Sequence, residues 1–388
     1  MKYSPTEFLK IATNTAEHFG FRTADVLSKN PLCKNCEISV PYSTDPKDKK
    51  IDHCDGLLTC GVSTYCQENL HALKAPVLLY SLEQLPKTDV TAITLSIFNV
   101  QKSIAEALLI QAGRSLLQEL EQENHVVRIN SLGDNESSTR YSRELANFLK
   151  KRLDTMPITA RELMKEHPLL ALMDLIEKEH DLAFRSPNPL EFLSDQSRKH
   201  FREIVEYLDM TETPYEIDPK MMGHHEYYSD ALFSIEPTDK IDDVGPTVTI
   251  RGGRYDEFLY RKTRSRIPAA GAVITYRNGK QPTRMPKAKS VDPTVYVIQL
   301  GFGPKVRSLM VIEELKRAGI PVRHDLASDS LSTQLRDAEA RGVRYTVIIG
   351  QKEFVDQTVI LRDMKERNQE NIPIDIMLKK LKKQLASG

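Results

Sequence analysis

The sequence predicts an α/β fold built from at least two parts. Residues 100–210 carry mainly helical patterns, residues 214–277 carry short strand patterns, and strands alternate with helices from residue 294 onward. A chain of 388 residues is long enough for two or three domains, each with a core of its own.

The C-terminal part has the clearest alternation. "PTVYVIQLG" is typical of a buried strand, and the following helix, "PKVRSLMVIEELKRAGI", repeats apolar residues on one face and stops at Gly319. Further strands are expected at "IPVRHDL", "RYTVIIG" and "QTVILRDM", and further helices at "LSTQLRDAEARG" and "DIMLKKLKKQL". The pattern predicts a compact α/β domain over residues 294–388 around a largely parallel sheet.

The N-terminal part begins with the amphipathic helix "SPTEFLKIATNTAEHFGF". Helices are expected at "SIAEALLIQAGRSLLQELEQ" and "RYSRELANFLKKRLD", with the strand "HVVRINSLGD" between them, and four strands at "PYEIDP", "DALFSIEP", "PTVTIRGG" and "AAGAVITYR". Residues 278–293 combine prolines, lysines and small polar residues, which is typical of a solvated basic linker. We therefore expect one domain over residues 1–277, with a helical insertion at about 134–210, then this linker.

Charge is balanced overall but unevenly distributed. The chain has 54 basic and 54 acidic residues, yet residues 251–289 hold eleven Lys and Arg against only Asp256 and Glu257. Such a strip suits the phosphate backbone of RNA, and for its second half a solvated linker is an equal alternative. We take Arg261, Lys262, Arg264 and Arg266, together with Arg254, as the candidate RNA contacts.

The composition favours a cytoplasmic protein that is not embedded in a membrane. No run of about 18 apolar residues occurs, and the first residues lack the apolar core of a signal peptide.

The five cysteines lie within residues 33–66. An odd number with one Cys-x-x-Cys pair, in a chain without an export signal, argues against a disulfide framework. A zinc site is possible on Cys33, Cys36, Cys54 and Cys60, although the spacings after Cys36 match no standard zinc knuckle. Reduced thiols without a metal are the preferred interpretation.

At "VVRINSLGDNESSTRYSRELANFLKKRLD" and at "TIRGGRYDEFL" the chain resembles histidyl-tRNA synthetase, a class II aminoacyl-tRNA synthetase. The segment from "YVIQLG" to "RYTVIIG" is similar to the anticodon-binding domain of that family. The resemblance implies an antiparallel class II sheet with a helical insertion, followed by an anticodon-binding-like α/β domain. It also implies that the Gly-Gly-Arg-Tyr-Asp turn forms one wall of an amino-acid pocket. The pocket residues that it assigns are Gly252, Gly253, Arg254, Tyr255, Glu226, Tyr227 and Tyr228.

Four departures from the family pattern point to a catalytically degenerate paralogue. The arginine-bearing motif 2 hairpin looks deleted between "LLYSLEQLP" and "SIFNV", and Leu57 stands where a glutamate should bind the substrate ammonium. Met222 or Gly223 occupies the place of a catalytic arginine. In motif 3, Thr275 and Tyr276 replace a glycine and an acid, and Arg277 falls one residue early. Since charge compensation is usually the largest catalytic contribution, we assign no catalytic residue.

Three hypotheses about function follow. The leading one is a histidyl-tRNA synthetase-like protein without aminoacylation activity, which binds tRNA, other RNA or histidine in a regulatory or accessory role. The second is a divergent active histidine–tRNA ligase, which would need ATP and Mg²⁺; otherwise no cofactor is expected. The third is a structural partner of another protein that reuses the scaffold. In each case we expect a homodimer formed through the N-terminal domain.

Overall fold

A computed structural model describes residues 3–24, 65, 75–84, 90–122, 124–223, 227–238, 247–277, 292–326 and 328–386. Within those ranges, no helix combines the length and the apolar character that a membrane crossing requires.

The predicted elements of both parts form. The helices are α1 (Pro5–His18), α2 (Ile104–Glu119), α3 (Asn135–Lys150), α4 (Ile158–Glu166), α5 (Pro168–Glu177), α6 (Asp181–Phe184), α7 (Asp195–Met210), α8 (Asp256–Thr263), α9 (Phe302–Arg317), α10 (Leu331–Ala340), α11 (Gln351–Asp356) and α12 (Ile374–Ala386). The strands are β1 (Arg22–Thr23), β2 (Val77–Gln84), β3 (Val90–Phe98), β4 (His125–Gly133), β5 (Tyr215–Ile217), β6 (Ser229–Pro237), β7 (Thr247–Arg254), β8 (Ala269–Arg277), β9 (Val295–Gln299), β10 (Val322–His324), β11 (Tyr345–Ile349), β12 (Thr358–Asp363) and β13 (Gln369–Pro373).

The N-terminal part is built on an eight-stranded sheet in the order β1-β2-β3-β8-β7-β6-β4-β5. All pairs from β2 through to β4 are antiparallel, and only the short edge strands β1 and β5 pair in parallel. The expected antiparallel sheet is therefore confirmed. Strand β3 is buried along its whole length, and its residues are apolar except for the hydroxyl-bearing Thr91, Thr94 and Ser96.

Helix α2 covers one face of this sheet. Thirteen of its residues are buried, because α1, α7 and the C-terminal domain pack around it as well as the sheet. A helix that is apolar on nearly every side is expected at such a central position.

The helical insertion, α3 to α7, has a separate apolar cluster that includes Tyr141, Leu145, Leu172 and Leu175. Its entry from β4 is a tight turn at Gly133, which has a φ of +69°. Asp134 then caps α3 by accepting a hydrogen bond from the backbone N–H of Ser137 at 2.9 Å.

The C-terminal sheet has the order β10-β9-β11-β12-β13. Strands β10, β9 and β11 are parallel, whereas β12 and β13 are antiparallel additions. The prediction of a largely parallel sheet is thus right for three strands and wrong for the other two. The short helix α11 and strand β13 were not predicted, because each is only five or six residues long and lacks an apolar period.

The C-terminal domain packs directly against α1 and α2. Nε2 of His18 lies 3.0 Å from the carbonyl oxygen of Ile312, and Nζ of Lys316 lies 2.6 Å from Glu119. Buried residues of both domains belong to one continuous apolar cluster. The two domains are therefore joined by a packed interface as well as by the linker.

We predict that Gly133→Ala destabilises the protein by about 2–5 kcal/mol. A left-handed conformation costs a side chain about 1–2 kcal/mol, and crowding adds to it, because the new Cβ would lie 2.4 Å from Cβ of Ser137. Gly319→Ala is the matched control: its φ is +70°, but an added Cβ meets no atom within 4 Å, so only the conformational cost remains. Urea unfolding of the two variants measures the difference, and equal losses would contradict the packing assigned to Gly133.

Candidate ligand pocket on the central sheet

The Gly-Gly-Arg segment is a strand and not the turn that the sequence analysis expected. Residues 247–254 form β7, which pairs with β6 on one side and β8 on the other. Neither Gly252 nor Gly253 has a positive φ. The chain turns only afterwards, at Tyr255, where α8 begins.

Close packing explains both glycines. A Cβ on Gly252 would lie 2.5 Å from the carbonyl oxygen of Gly271 and from the ring of Phe233. A Cβ on Gly253 would lie 2.6 Å from the carbonyl oxygen of Ala231 and 3.0 Å from the ring of Tyr228. The glycines therefore admit neighbouring strands and the Tyr228 ring.

Strand alternation divides the predicted pocket residues between two faces of the sheet. Gly252 and Arg254 lie on the face covered by α2. Gly253 lies on the opposite face, next to Tyr228. The resemblance had grouped these residues in one pocket wall.

Arg254 is a buried structural residue. Its side chain is 1% exposed, and its Nε and Nη2 atoms donate to the two carboxylate oxygens of Glu106 at 2.8 and 3.0 Å. Its Nη1 also donates to the carbonyl oxygen of Val100 at 3.2 Å and lies 3.4 Å from Asp256. The prediction that Arg254 contributes to an RNA-binding surface is wrong, because its donors are already used inside the protein.

Glu106 and His200 complete this ion pair. Nε2 of His200 lies 2.8 Å from Oε1 of Glu106. Burial acts to raise the pKa of Glu106, but the charges of Arg254 and His200 outweigh it and lower that pKa to about 2. Burial acts to lower the pKa of His200, but the carboxylate of Glu106 outweighs burial. The pKa of His200 is therefore raised.

Two further acids surround the pair. Burial raises the pKa of Asp256 to about 6, although Arg254 and the backbone N–H of Ala269 partly offset it. Asp230 has a φ of +52° at a register shift between β6 and β7, and its Oδ1 accepts from the hydroxyl of Ser197 at 2.6 Å. The bulge thus turns this carboxylate toward α7.

The face opposite α2 carries the aromatic pocket residues. Tyr227, Tyr228 and Tyr255 are all buried there, in one cluster with Phe258 and Phe98. The rings of Tyr227 and Phe258 are 4.8 Å apart. Of the predicted pocket set, the structure brings together these three tyrosines and Gly253. Glu226 lies outside the described residues, as do His224, His225 and Leu57.

The same face of the sheet carries a set of mostly polar side chains, called the floor below, that the sequence analysis did not predict. Strand pairing aligns Ser81, Thr94, Val273, Arg251 and Ser234 in one row across five strands. In the adjacent rows, the hydroxyl groups of Thr249 and Thr275 are 2.6 Å apart. The row continues on β4 with Arg128, which pairs with Glu236 at 3.0 Å and Glu216 at 3.4 Å. The floor therefore combines hydroxyl groups with the exposed Arg251 and with Arg128.

Assigning alternate residues of "VTIRGG" to opposite faces of a strand could have identified Arg251. It places Arg251 on the same face as Gly253 and opposite to Arg254. The interpretation of the segment as a turn concealed this signal.

The motif 2 region is a hairpin. The two segments thought to flank a deletion are β2 and β3, which pair residue by residue from Val77 with Phe98 to Gln84 with Thr91. The hairpin is therefore retained. Between residues 77 and 98 the sequence contains no arginine, and Lys87 is its one basic residue.

Strand β8 offers no compensation for the altered motif 3. It pairs with β3 and β7 from residue 269 to 277 without a register shift, so no bulge moves Arg277. Tyr276 lies on the α2 face, where its ring stacks on Phe8 at 4.7 Å.

The predicted RNA contacts other than Arg254 lie on or just after α8. Arg261, Arg264 and Arg266 are exposed, and Arg264 ends the helix with a φ of +60°. Lys262 belongs to the same helix, but its side chain is outside the described residues. These positions are accessible to a large anionic partner.

The candidate zinc ligands Cys33, Cys36, Cys54 and Cys60 lie outside the described residues, so the zinc site stays a prediction. In the part of the chain that is described, no group of three or more His, Cys, Asp or Glu side chains is arranged to hold a metal ion.

Comparison with known proteins supports the resemblance. Residues 294–384 match the family model described as an anticodon binding domain. A histidine–tRNA ligase from Halothermothrix orenii is 27% identical over 285 residues, which cover 72% of this chain and 66% of the relative. The ligase from Latilactobacillus sakei is 24% identical over 282 residues, which cover 71% of this chain and 64% of the relative. The chain is therefore similar to histidine–tRNA ligases over about 70% of its length.

Two solved structures also align with this chain. An apo histidyl-tRNA synthetase from S. aureus aligns with a TM-score of 0.44 at 17% identity, over 82% of this chain and 80% of that one. A Bacillus halodurans protein titled as an ATP phosphoribosyltransferase regulatory subunit/histidyl-tRNA synthetase aligns with a TM-score of 0.44 at 12% identity, over 89% of this chain and 94% of that one. The matched region spans just under two thirds of the length of the two ligases.

We predict that Arg254→Met destabilises this synthetase-like chain by about 3–5 kcal/mol, because it leaves the buried Glu106 carboxylate with His200 as its one cationic partner. The double variant Arg254→Met/Glu106→Leu should recover much of the loss, since it removes both charges from the interior. Urea unfolding at pH 7 measures both variants. A double variant as unstable as the sum of the two single variants would contradict the pairing.

Proposed function

We propose that the chain is an RNA-binding member of the synthetase-like proteins that does not form an aminoacyl-adenylate. The observation that carries the RNA-binding half is the match of residues 294–384 to the anticodon binding domain model. The RNA is proposed to be tRNA, because the curated relatives that match most of this chain are named histidine–tRNA ligases.

The loss of adenylation is supported by the composition of the sheet floor. Adenylate formation requires cations to neutralise a carboxylate and a triphosphate in one cleft. The hairpin from residue 77 to 98 has no arginine, and Arg254 is held by Glu106 on the other face of the sheet. The central row of the floor holds Arg251 and Arg128, and Arg128 is paired with Glu216 and Glu236.

The floor and the tyrosine cluster favour binding over chemistry. Hydroxyl groups, the exposed Arg251 and buried aromatic rings can hold a small polar ligand such as histidine. Histidine binding is therefore part of the proposed regulatory or accessory role, and a homodimer remains part of the same proposal.

We predict no histidine-dependent pyrophosphate exchange above background. Each lost preorganised charge contact typically reduces the rate by about 100- to 1000-fold, and several losses together should abolish turnover. The measurement uses the full chain with histidine, ATP and Mg²⁺, and an authentic histidyl-tRNA synthetase serves as the positive control. Exchange at a rate near that of the control would favour the alternative of a divergent active ligase.

We predict that the full chain binds tRNA and that its affinity falls with salt. The slope of log K against the logarithm of the salt concentration should be about −0.7 to −0.9 for each phosphate contacted. Reversing Arg261, Arg264 and Arg266 to glutamate should reduce this slope by about 2–3, because each phosphate contact contributes about one unit. Filter binding at several salt concentrations measures the slope.

The matched control reverses three exposed cations of the helical insertion, Arg143, Lys150 and Lys151, to glutamate. This control changes the net charge by the same amount at another surface. If both triple variants lose the same affinity, the effect is one of net charge alone, and the α8 end is not the RNA-binding surface.

A further inference from the structure

Two neighbouring cavities lie between the large sheet and the C-terminal domain. The first, of about 410 Å³, extends from the α2 face of the sheet to β10 and α10. The second, of about 540 Å³, lies between α1 and the segment from α9 to β10. Both are lined by Arg22 and Arg323, so the two cavities meet at these side chains. They are on the opposite face of the sheet from the tyrosine cluster and Arg251.

One wall of the first cavity is apolar. It is formed by side chains of β2, β3, the following loop and α2, namely Leu78, Ile97, Val100, Ile104 and Leu108. Protein interiors normally close voids of this size by packing, so an apolar wall left beside a space of several hundred cubic ångströms is typical of a ligand site at a domain junction.

The other wall is polar and carries an excess of positive charge. Arg22, Arg323 and Arg341 line this cavity with only Asp325 and Asp337 as acids. Asp337 already accepts hydrogen bonds from Arg341 at 2.9 Å and from the hydroxyl of Tyr296 at 2.8 Å. The neighbouring His324 is neutral at pH 7, because burial lowers its pKa to about 4.

Glu17 is the one acid whose charge stabilises the Arg323 guanidinium among the causes that shift its pKa. Nη1 of Arg323 donates to the carbonyl oxygen of Glu17 at 3.1 Å, and the guanidinium forms no ion pair with any residue that the structure describes. Burial and the like charge of Arg341 lower the pKa of Arg323, and the carboxylate of Glu17 acts in the opposite direction. A half-buried guanidinium that lines a cavity beside a like charge, without a close ion pair, is stabilised by a further anion.

We propose that this junction binds a small organic anion, with its carboxylate or phosphate at Arg323 and its apolar body against the α2 wall. The volume fits a molecule between an amino acid and a mononucleotide in size. Because the two walls come from different domains, the bound anion also strengthens the contact between them.

Isothermal titration of the full chain tests the site with three probes: adenosine 5′-monophosphate, octanoate and inorganic phosphate. The proposal expects saturable binding of at least one of the two organic anions, and which of them binds distinguishes a phosphate from a carboxylate ligand. It expects inorganic phosphate to bind more weakly, because phosphate lacks the apolar body. No binding of any probe at millimolar concentration, or equal binding of phosphate and the organic anions, overturns the proposal.

Two variants locate the binding. Arg323→Met keeps the length of the side chain without its charge and should weaken binding by about 10- to 100-fold. Thr333→Trp, on the exposed start of α10, should block the cavity without altering the contact between Arg323 and Glu17. Arg336→Met is the matched control on the same helix, since Arg336 is exposed and lines neither cavity.

Circular dichroism confirms that each variant is folded before titration. Loss of binding in both Arg323→Met and Thr333→Trp, with Arg336→Met unchanged, supports the site. Unchanged binding in both of the first two variants shows that the anion lies elsewhere and overturns it. The tRNA and pyrophosphate measurements report on different surfaces, so this proposal and the proposed function can fail independently.

Discussion

The ion pair between Arg254 and Glu106 is the constraint on which the arrangement of the central sheet depends. Both side chains are 1% exposed, and in a region of low dielectric constant neither charge is tolerated without the other. The forked contact fixes the last residue of β7 against the first turn of α2. His200 extends the same network to α7, so three elements distant in sequence are held at one point.

This pair also determines what the other face of the sheet presents. Because side chains alternate along a strand, fixing Arg254 toward α2 directs Gly253 and Arg251 to the opposite face. There they join the hydroxyl groups of β2, β3 and β8 and the cluster around Tyr227 and Tyr255. The result is a concentration of hydrogen-bonding groups on this face, with Arg251 and Arg128 in one row.

The junction between the domains follows a different physical pattern. Buried contacts such as those of His18 and Lys316 fix the C-terminal domain against α1 and α2, and the apolar cluster is continuous across the boundary. Beside these close contacts the two surfaces do not meet, and the space between them is lined by arginines from both sides. Under the proposal above, a small anion bound in this space would affect the association of the two domains.

The sequence by itself determined the elements whose residues interact locally. The apolar period of residues 306–315, the short apolar run "AAGAVITYR" and the stop at Gly319 depend on neighbours a few residues away, and each predicted its helix, strand or helix end correctly. The absence of arginine between residues 77 and 98 is likewise a property of the sequence itself, whatever the fold. Only the tertiary structure decided that Arg254 pairs with Glu106, that residues 77–84 pair with residues 91–98, and that Arg323 lines a cavity. These contacts join residues far apart along the chain, 148 positions in the case of Arg254 and Glu106 and 306 in the case of Arg323 and Glu17. No local pattern encodes such partners, because they are selected by the packing of whole elements and by the need to neutralise charges that the packing has buried.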